Sequence, residues 1–412
     1  MKDDSDQSLE SQAPIVVDPL SVTIIGSFDE LATVAEEWDS FVERSGSDIY
    51  FVTDWLEAWW TYYGKNRRLR CFLIRKNGAT VAALPFFIQN FVLGPFRLKV
   101  ARFVGADFTI PVFFPAIEKS HEIEVLEYVF RDLFSIERCD CVSLTPLSGP
   151  TPITDAVRRL CSRDTTYRIS RDDSKIPYTF YPLPESFDDY LKRLSKQARK
   201  KFRRHLRRLS ELSELESKVF RGMDVIDHFD KFVRLHEAQW ADVGKLGHFG
   251  DWPEGMAFNR DLVNRLAKRD LVRIHELTGN GEILSMRYIF VLADRCYIRL
   301  PARRSSAELE KLGIGQIGLL KTLEHLINEG IKYSESGPGH YDYKISCGGE
   351  ELALRRLTVT RAAIFTQKKM FLLLMWSDLI DIIYYRIWYK KLSPKIPFFK
   401  FPLWRTWIRT RL

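Results

Sequence analysis

The sequence predicts an α/β protein of the α+β type, made of two units that are each a mixed, mostly antiparallel sheet flanked by helices. Three observations carry this. At 412 residues the chain is long for one core and suits two packed domains. Alternating apolar runs are hinged on Lys76-Asn77-Gly78 in the first half and on Gly279-Asn280-Gly281 in the second, the signature of antiparallel hairpins. Between Arg299 and Lys344 the order is strand, glycine-containing turn, long helix, short strand and glycine turn.

Residues 1–20, polar and acidic, are expected to form a disordered tail, and they hold no apolar run of the kind a secretory signal requires. The first unit is expected over 21–176. Leu31 to Glu43 has helical spacing, and Phe51 to Tyr63 offers Thr53 or Asp54 as a cap for an aromatic helix. Leu69 to Arg75 and Thr80 to Gln89 are the hairpin strands; helix Glu122 to Leu133, strand Cys139 to Leu144 and helix Thr154 to Cys161 follow. The proline-punctuated stretch Pro177 to Pro184 reads as a linker, bounded at 177–190.

The second unit, 191–360, opens with a basic helix over 191–212. Helices Asp224 to Trp240 and Asn259 to Lys268 lead into strands Leu271 to Leu277, Ile283 to Leu292 and Arg295 to Leu300, the last ending at Pro301. Gly313-Ile314-Gly315 then opens an apolar helix through Leu319, Leu320, Leu323, Leu326 and Ile327. Glycines at a helix start let a phosphate approach unpaired N–H groups at the positive end of the helix dipole, whereas a GxG there is equally often a plain tight turn.

Net charge is +8, and its placement says more than its size. Tyr190 to Ser210 holds ten Lys/Arg and no acid; 361–412 holds eleven Lys/Arg against two Asp, so the remaining body is net acidic. Two basic segments on an acidic body point to local anionic partners, not to a general nucleic-acid coat. The six cysteines form no CxxC pair and read as buried free thiols of a cytoplasmic protein. No HxxxH or HExxH pair and no Gly-x-Ser-x-Gly elbow occurs, so neither a metal nor a serine nucleophile is implied, and no GxGxxG follows a first strand.

These pieces together resemble the GNAT-type acyltransferases of the CelD/BioF2-like class, associated with cellulose and exopolysaccharide biosynthesis and related to the FemAB-like double-GNAT fold. The resemblance runs from about Phe51 to Gly349 through Trp55, Trp59-Trp60, Ala83-Leu84-Pro85, Arg102 to Gly105, His236 to Trp240, Gly244, Ile274 to Leu277, the Gly315 helix and Gly339 to Lys344. It implies two GNAT-like domains and an acyl-CoA donor, acetyl-CoA first, with Arg299, Leu300, Gly313, Gly315 and Gln316 around it and no metal. Tyr341 or Tyr343 would protonate the departing thiolate, Glu335 or His236 would act as base, and Lys344 and Trp240 would meet substrate. The chain departs from the family where Glu310 holds the place usually taken by Arg or Gln, and where Glu335 is the nearest acid to a usual Asp.

The acceptor so implied is a sugar or lipid-linked sugar. Two rivals stand beside this reading: a peptidoglycan-type aminoacyltransferase using aminoacyl-tRNA, which the basic helix fits, and a non-catalytic partner of a polysaccharide synthase. Over 361–412, twelve aromatics interleave with Lys and Arg, a composition suited to a membrane–water interface. Asp378 and Asp381 argue against a membrane span, since each costs roughly 2.5 to 3.5 kcal/mol near the bilayer centre. The tail is therefore expected to hold the protein peripherally on an anionic membrane surface, the inner face of the plasma membrane.

Overall fold

The computed structural model describes residues 20–106, 114–147, 152–245, 247–252, 254–392 and 395. All but Leu20 of the tail expected at 1–20, and most of the region beyond 392, therefore lie outside the described residues. The strands are β1 (Ser21–Ile25), β2 (Arg68–Lys76), β3 (Ala79–Leu93), β4 (Phe96–Phe103), β5 (Ala116–Ile117), β6 (Cys141–Ser143) and β7 (Tyr167–Pro182), then β8 (Leu215–Phe220), β9 (Val272–Gly279), β10 (Glu282–Leu292), β11 (Arg295–Arg303), β12 (Tyr333–Pro338) and β13 (Glu350–Arg361). All join one sheet, ordered β1-β2-β3-β4-β6-β13-β7-β12-β11-β10-β9-β8, with β5 beside β3.

This order holds a repeat. β1 to β4 are antiparallel neighbours and β6 lies parallel to β4; β8 to β11 are antiparallel neighbours and β12 lies parallel to β11. Each half then borrows a strand: β13, the last strand of the second half, docks on β6, while β7, the last of the first, docks on β12. β7 and β13 pair with each other over twelve positions, from Tyr167↔Arg361 to Phe180↔Glu350. The expected linker at 177–190 is accordingly no linker. Pro177 to Pro182 complete β7, and Phe187–Arg193 is a helix capped by Ser186. Pro177 pairs with Ala353 and lies just beyond Tyr178, the last β7 residue paired with β12.

Local chemistry sets most other boundaries. Asn77 and Gly78, and again Asn280 and Gly281, take positive φ, as type I′ hairpin turns demand. The helix expected over Leu31 to Glu43 is two helices, Phe28–Ala32 and Ala35–Arg44, because Ser27 caps the first and Val34 leaves helical geometry. The basic segment also divides: Leu194 is extended and Ser195 caps a new helix, Lys196–Leu212, by accepting from the Ala198 N–H at 3.1 Å. β11 runs through Pro301 to Arg303 instead of stopping at the proline. Beyond Tyr297 it has no partner on its β12 side, so an imino residue forfeits no ladder bond there.

One large core joins both halves. Trp55 packs edge-on against Phe258, Tyr50 against Tyr297, and Arg269 reaches Asp39 and Asp54 at 2.6 and 3.0 Å. A second core lies between β9–β11 and the helices Phe187–Arg193, Lys196–Leu212 and Ile314–Asn328. A third seats Met370, Leu373 and Leu374 of the C-terminal helix Ile364–Ile380 on Phe91, Leu98, Val100 and Cys141. The six cysteines are free and five are buried.

Because each half's sheet is completed by the other's strand, the two halves should unfold together. Chemical denaturation followed by hydrogen exchange is expected to give one midpoint for the amides of β2–β3 and β9–β10. Leu357→Ala, at a fully buried β13 position, should cost about 2–5 kcal/mol and move both sets equally. Separate midpoints would refute the coupling.

Candidate functional site

The site begins where β11 and β12 part. They pair in parallel only at Arg295–Tyr297 with Tyr333–Glu335 and then diverge, leaving one edge of Ile298 to Arg303 unpaired. On its other side β11 bulges: Tyr288 pairs with Leu300 and Ile289 with Ile298, so Arg299 is the extra residue and falls out of the ladder. Into the opening points the start of helix Ile314–Asn328. Gly313 caps it at φ +66, and a Cβ there would meet His205 Nδ1 at 2.6 Å. Glycine is required for both the backbone angle and the close approach.

A cavity of about 670 Å³ fills this opening, walled by β11 at Pro301 to Arg303, by the helix start at Gly313 to Gln316, by Arg287 of β10, by Tyr343, and by Lys201 and His205 of the basic helix. Arg287 is its strongest feature. It donates to the Gly315 carbonyl at 2.7 Å, fixing the first helical turn against β10. Burial pulls it down to about 10, which leaves it charged at neutral pH, and among the described residues it has no carboxylate partner. A buried unpaired guanidinium is costly unless an anionic or strongly polar group meets it. Glu310, in contrast, is held by Arg303 at 2.9 Å, while the Arg303 N–H donates to Gln239 Oε1 at 2.9 Å. The carboxylate is thus neutralised by a cation of the same cavity.

Residues 196–345, which contain this cavity's glycine helix, bulged strand and basic helix, match the family model of an acetyltransferase (GNAT) domain. Residues 196–345 form a GNAT acetyltransferase domain. No curated protein sequence matches the chain. Among solved structures it is similar to a crystal structure of FemX, with TM-score 0.55 and 11% identity over 78% of this chain and 95% of that one. It also overlays, more loosely, a conserved protein of unknown function from Bacteroides thetaiotaomicron (TM-score 0.49, 14% identity, 82% and 100% coverage) and a tandem GNAT protein from the clavulanic acid biosynthesis pathway (0.44, 10%, 83% and 99%). At such identities the likeness is one of fold. The GNAT domain makes the protein an acyltransferase.

Within this domain the residues singled out in the sequence separate. Gly313, Gly315, Gln316 and Tyr343 line the cavity. Tyr343 keeps its proton, because burial, offset in part by Arg287, raises its phenol. Tyr341 is exposed and lies under the Lys344 ammonium, 5.0 Å away, outside the cavity wall. Arg299 and Leu300 contribute backbone: the Arg299 guanidinium stacks over Trp252 at 4.8 Å, and Leu300 is in the core.

Three more of these residues are held by the fold itself. His236 is not arranged as a base. Its Nδ1 is 3.2 Å from the Pro301 carbonyl, which can only accept, so the proton sits on Nδ1 and Nε2 accepts from His248 Nδ1 at 3.1 Å. Burial lowers His236 to about 4 and His248 to about 3, and the pair holds β11 in place. Lys344 is not a free cation either: its buried ammonium donates to the Ser336 and Gly337 carbonyls at 2.7 and 3.1 Å, clamping the end of β12. Trp240 packs with His236, His248 and Lys245, beside the cavity-lining Gln239.

Glu335, at the last position of β12 paired with β11, is buried and accepts a hydrogen bond from Tyr178 of β7. Burial raises its carboxyl, opposed by Tyr178 and Arg295. Asp48, from the first half, is raised by burial and by Glu335. The two carboxyls therefore hold a proton more readily than isolated ones, with Tyr297 donating to Asp48 at 3.3 Å. Sequence reasoning missed Asp48, Tyr178, Arg287 and Gly318. The signal for the last two was present: Ser285 and Arg287 are polar residues on one face of an otherwise apolar strand, and Gly318 is the helical residue that covers them.

Two expectations follow. A Cβ at Gly318 would lie 2.2 Å from Ser285 Oγ and 2.7 Å from Arg287 Nη1, whereas one at Gly315 would meet the Arg303 side chain, Cδ at 3.4 Å and Nε at 3.9 Å. Gly318→Ala should destabilise by about 1–3 kcal/mol in chemical denaturation, with Gly315→Ala close to neutral; equal effects would refute the packing argument. His236 and His248 bind protons more readily unfolded than folded, so their contribution is complete above about pH 6.5 and lost as pH falls towards 4, on the order of 3 kcal/mol for His236. Wild type should lose more stability between pH 7 and 4 than His248→Gln, and parallel curves would refute it.

Proposed function

We propose that the protein transfers an acyl group, acetyl first, from an acyl-CoA to an amine or hydroxyl of a sugar or lipid-linked sugar in the making of bacterial extracellular polysaccharide. What carries the donor half of this reading is one cavity that combines the N–H groups of a glycine helix start, the unpaired buried Arg287 and the freed edge of β11. Helix N-terminal N–H groups suit a pyrophosphate, and the cavity's cations suit its charge. The acceptor class rests on the sequence resemblance to the CelD/BioF2-like acyltransferases.

The chemistry then distributes over residues of this chain. The acceptor heteroatom attacks the thioester carbonyl, its bond to carbon forms as the C–S bond breaks, and the negative charge developing on the carbonyl oxygen meets backbone N–H at the Arg299 bulge, Pro301 having none to offer. Tyr343, protonated and at the cavity wall, gives its proton to the thiolate. Glu335 takes the acceptor's proton through water, with Tyr178 setting its orientation and Tyr178 and Arg295 favouring its ionised form against burial.

A second reading, an aminoacyl-tRNA donor, is favoured by one observation. The helix Lys196–Leu212 borders the cavity through Lys201 and His205. Its exposed Lys196, Lys200, Lys201, Arg203, Arg204 and Arg208 have no carboxylate partner among the described residues. Against it, the region between Gly244 and Leu271 holds two short helices, Gly247–Asp251 and Gly255–Ala267, in place of a long helical hairpin.

Thermal denaturation with acetyl-CoA and longer acyl-CoAs tests the donor. A hundredfold excess over Kd should stabilise the protein by about 2.7 kcal/mol, and Gly315→Trp, which fills the cavity mouth, should abolish the shift. Glu335→Gln should keep the shift and lower thiol release in the presence of acceptor by about 10²–10⁴. No shift with any acyl-CoA, together with stabilisation by charged tRNA, would replace the first reading by the second.

A further inference from the structure

The C-terminal helix presents one continuous apolar stripe that the protein does not cover. Helix Ile364–Ile380 continues as a wider π-type helix, Asp381–Leu392. Thr366, Met370, Leu373, Leu374, Ser377 and Tyr384 face inward and are buried. The opposite side exposes Ile364 (75%), Phe365 (60%), Phe371 (67%) and Met375 (53%), and the stripe continues through Trp376, Leu379 and Ile383 at helical spacing. More than half of the large apolar side chains that the described residues expose lie between 364 and 392. Single exposed apolar residues need no explanation, but a contiguous stripe of this length does.

The two aspartates do not interrupt it. Asp378 is drawn against the body by Arg171 at 2.8 Å and Arg356 at 3.0 Å, and Asp381 pairs with Arg386 at 3.6 Å. What remains on the outer side is cationic. Lys368 and Lys391 are exposed with no carboxylate partner among the described residues. From Ile382 to Leu412 the sequence has eight Lys/Arg and no acid, with nine aromatic residues between them. Beside the stripe, Arg168 of β7 and Lys368 flank a groove of about 620 Å³ whose apolar walls include Ile169, Ile364, Phe371 and Leu372. Among the described residues no helix is long and apolar enough to cross a membrane.

We propose that this stripe lies in the plane of an anionic phospholipid surface, its rings and aliphatic chains among the acyl chains, its cations at the phosphates, and the groove holding one lipid headgroup between Arg168 and Lys368. Aromatic and aliphatic side chains bury while Lys and Arg reach the headgroups, the arrangement by which an amphipathic helix binds without spanning. Charge selects this occupant over a second copy of the chain: two copies meeting stripe to stripe would bring Lys368 and Lys391 of each together with no acid opposite, a like-charge contact. The inference does not depend on the donor or the acceptor.

Sedimentation of the full chain with phosphatidylcholine vesicles, with and without phosphatidylglycerol, tests it, alongside the oligomeric state measured without lipid. Wild type is expected as a monomer that partitions onto phosphatidylglycerol vesicles at least tenfold more than onto phosphatidylcholine alone, and less at high salt. The combined variant Phe371→Glu, Met375→Glu and Trp376→Glu, with an unchanged melting temperature, should lose at least tenfold of that partition. Lys368→Glu should lose several-fold on anionic vesicles only. Equal binding by the variant, equal binding to both vesicle types, or a lipid-free dimer that the variant dissolves would each overturn the proposal.

Discussion

The antiparallel pairing of β7 with β13 is the constraint on which the rest of the molecule depends. It is the longest ladder in the sheet, and each of its strands closes the half of the chain to which it does not belong. Without β13, β6 would end in an open edge; without β7, so would β12. The exchange also puts residues of different halves into one site. Tyr178 of β7 reaches Glu335 of β12, and Glu335 lies close enough to Asp48 of the first half to add to the rise that burial gives the Asp48 carboxyl. A buried acidic pair of this kind is tolerable only where fixed donors and an arginine surround it, and β7, β11 and the loop at Asp48 supply these together.

From that frame the cavity follows by geometry. A parallel neighbour cannot be reached by a tight turn, so the chain between β11 and β12 must make a helical crossover, and the two strands part once their short register ends. The parting leaves the β11 edge bare, which is why a proline can sit in it and why the bulge at Arg299 costs so little pairing. The crossover helix comes down on β10 so closely that Gly318 must be glycine, and that proximity lets Arg287 reach across to the Gly315 carbonyl. Arg287 holds the helix start in position and, being buried without a counter-ion, leaves the cavity short of one negative charge.

How much of this was legible in the sequence depended on the range of the interaction. Both hairpins could be read because Asn-Gly turns are set by the conformational freedom of two residues. The glycine helix could be read for the same reason. β7 and β13 could not, because nothing local marks a strand whose partner lies more than 160 residues away, and the prolines of β7 mimic a linker. Side-chain roles were harder still. His236 and Lys344 carry residue types that chemistry often uses, but their partners are the carbonyls of Pro301, Ser336 and Gly337, which no sequence pattern announces. Arg287 was recognisable in principle, as a lone charge within the apolar run of β10, but its meaning needed the helix above it.

Charge placement acquires a structural logic once these pieces are assembled. The body pairs most of its acids internally: Glu310 with Arg303, Asp378 with Arg171 and Arg356, Asp172 with Arg158 and Arg355. Among the cations without a carboxylate partner, clusters lie at the wall of the cavity at Arg287, on the outer face of the helix bordering it, and on the C-terminal stripe. Solvating several such charges on one helix face incurs repulsion between neighbours. Each cluster adjoins a feature able to present something anionic to it: the helix start in the cavity, the cavity mouth, and the exposed apolar stripe. Charge and shape thus mark the same surfaces, and this agreement, more than any single residue, argues that the basic segments are there to be met from outside.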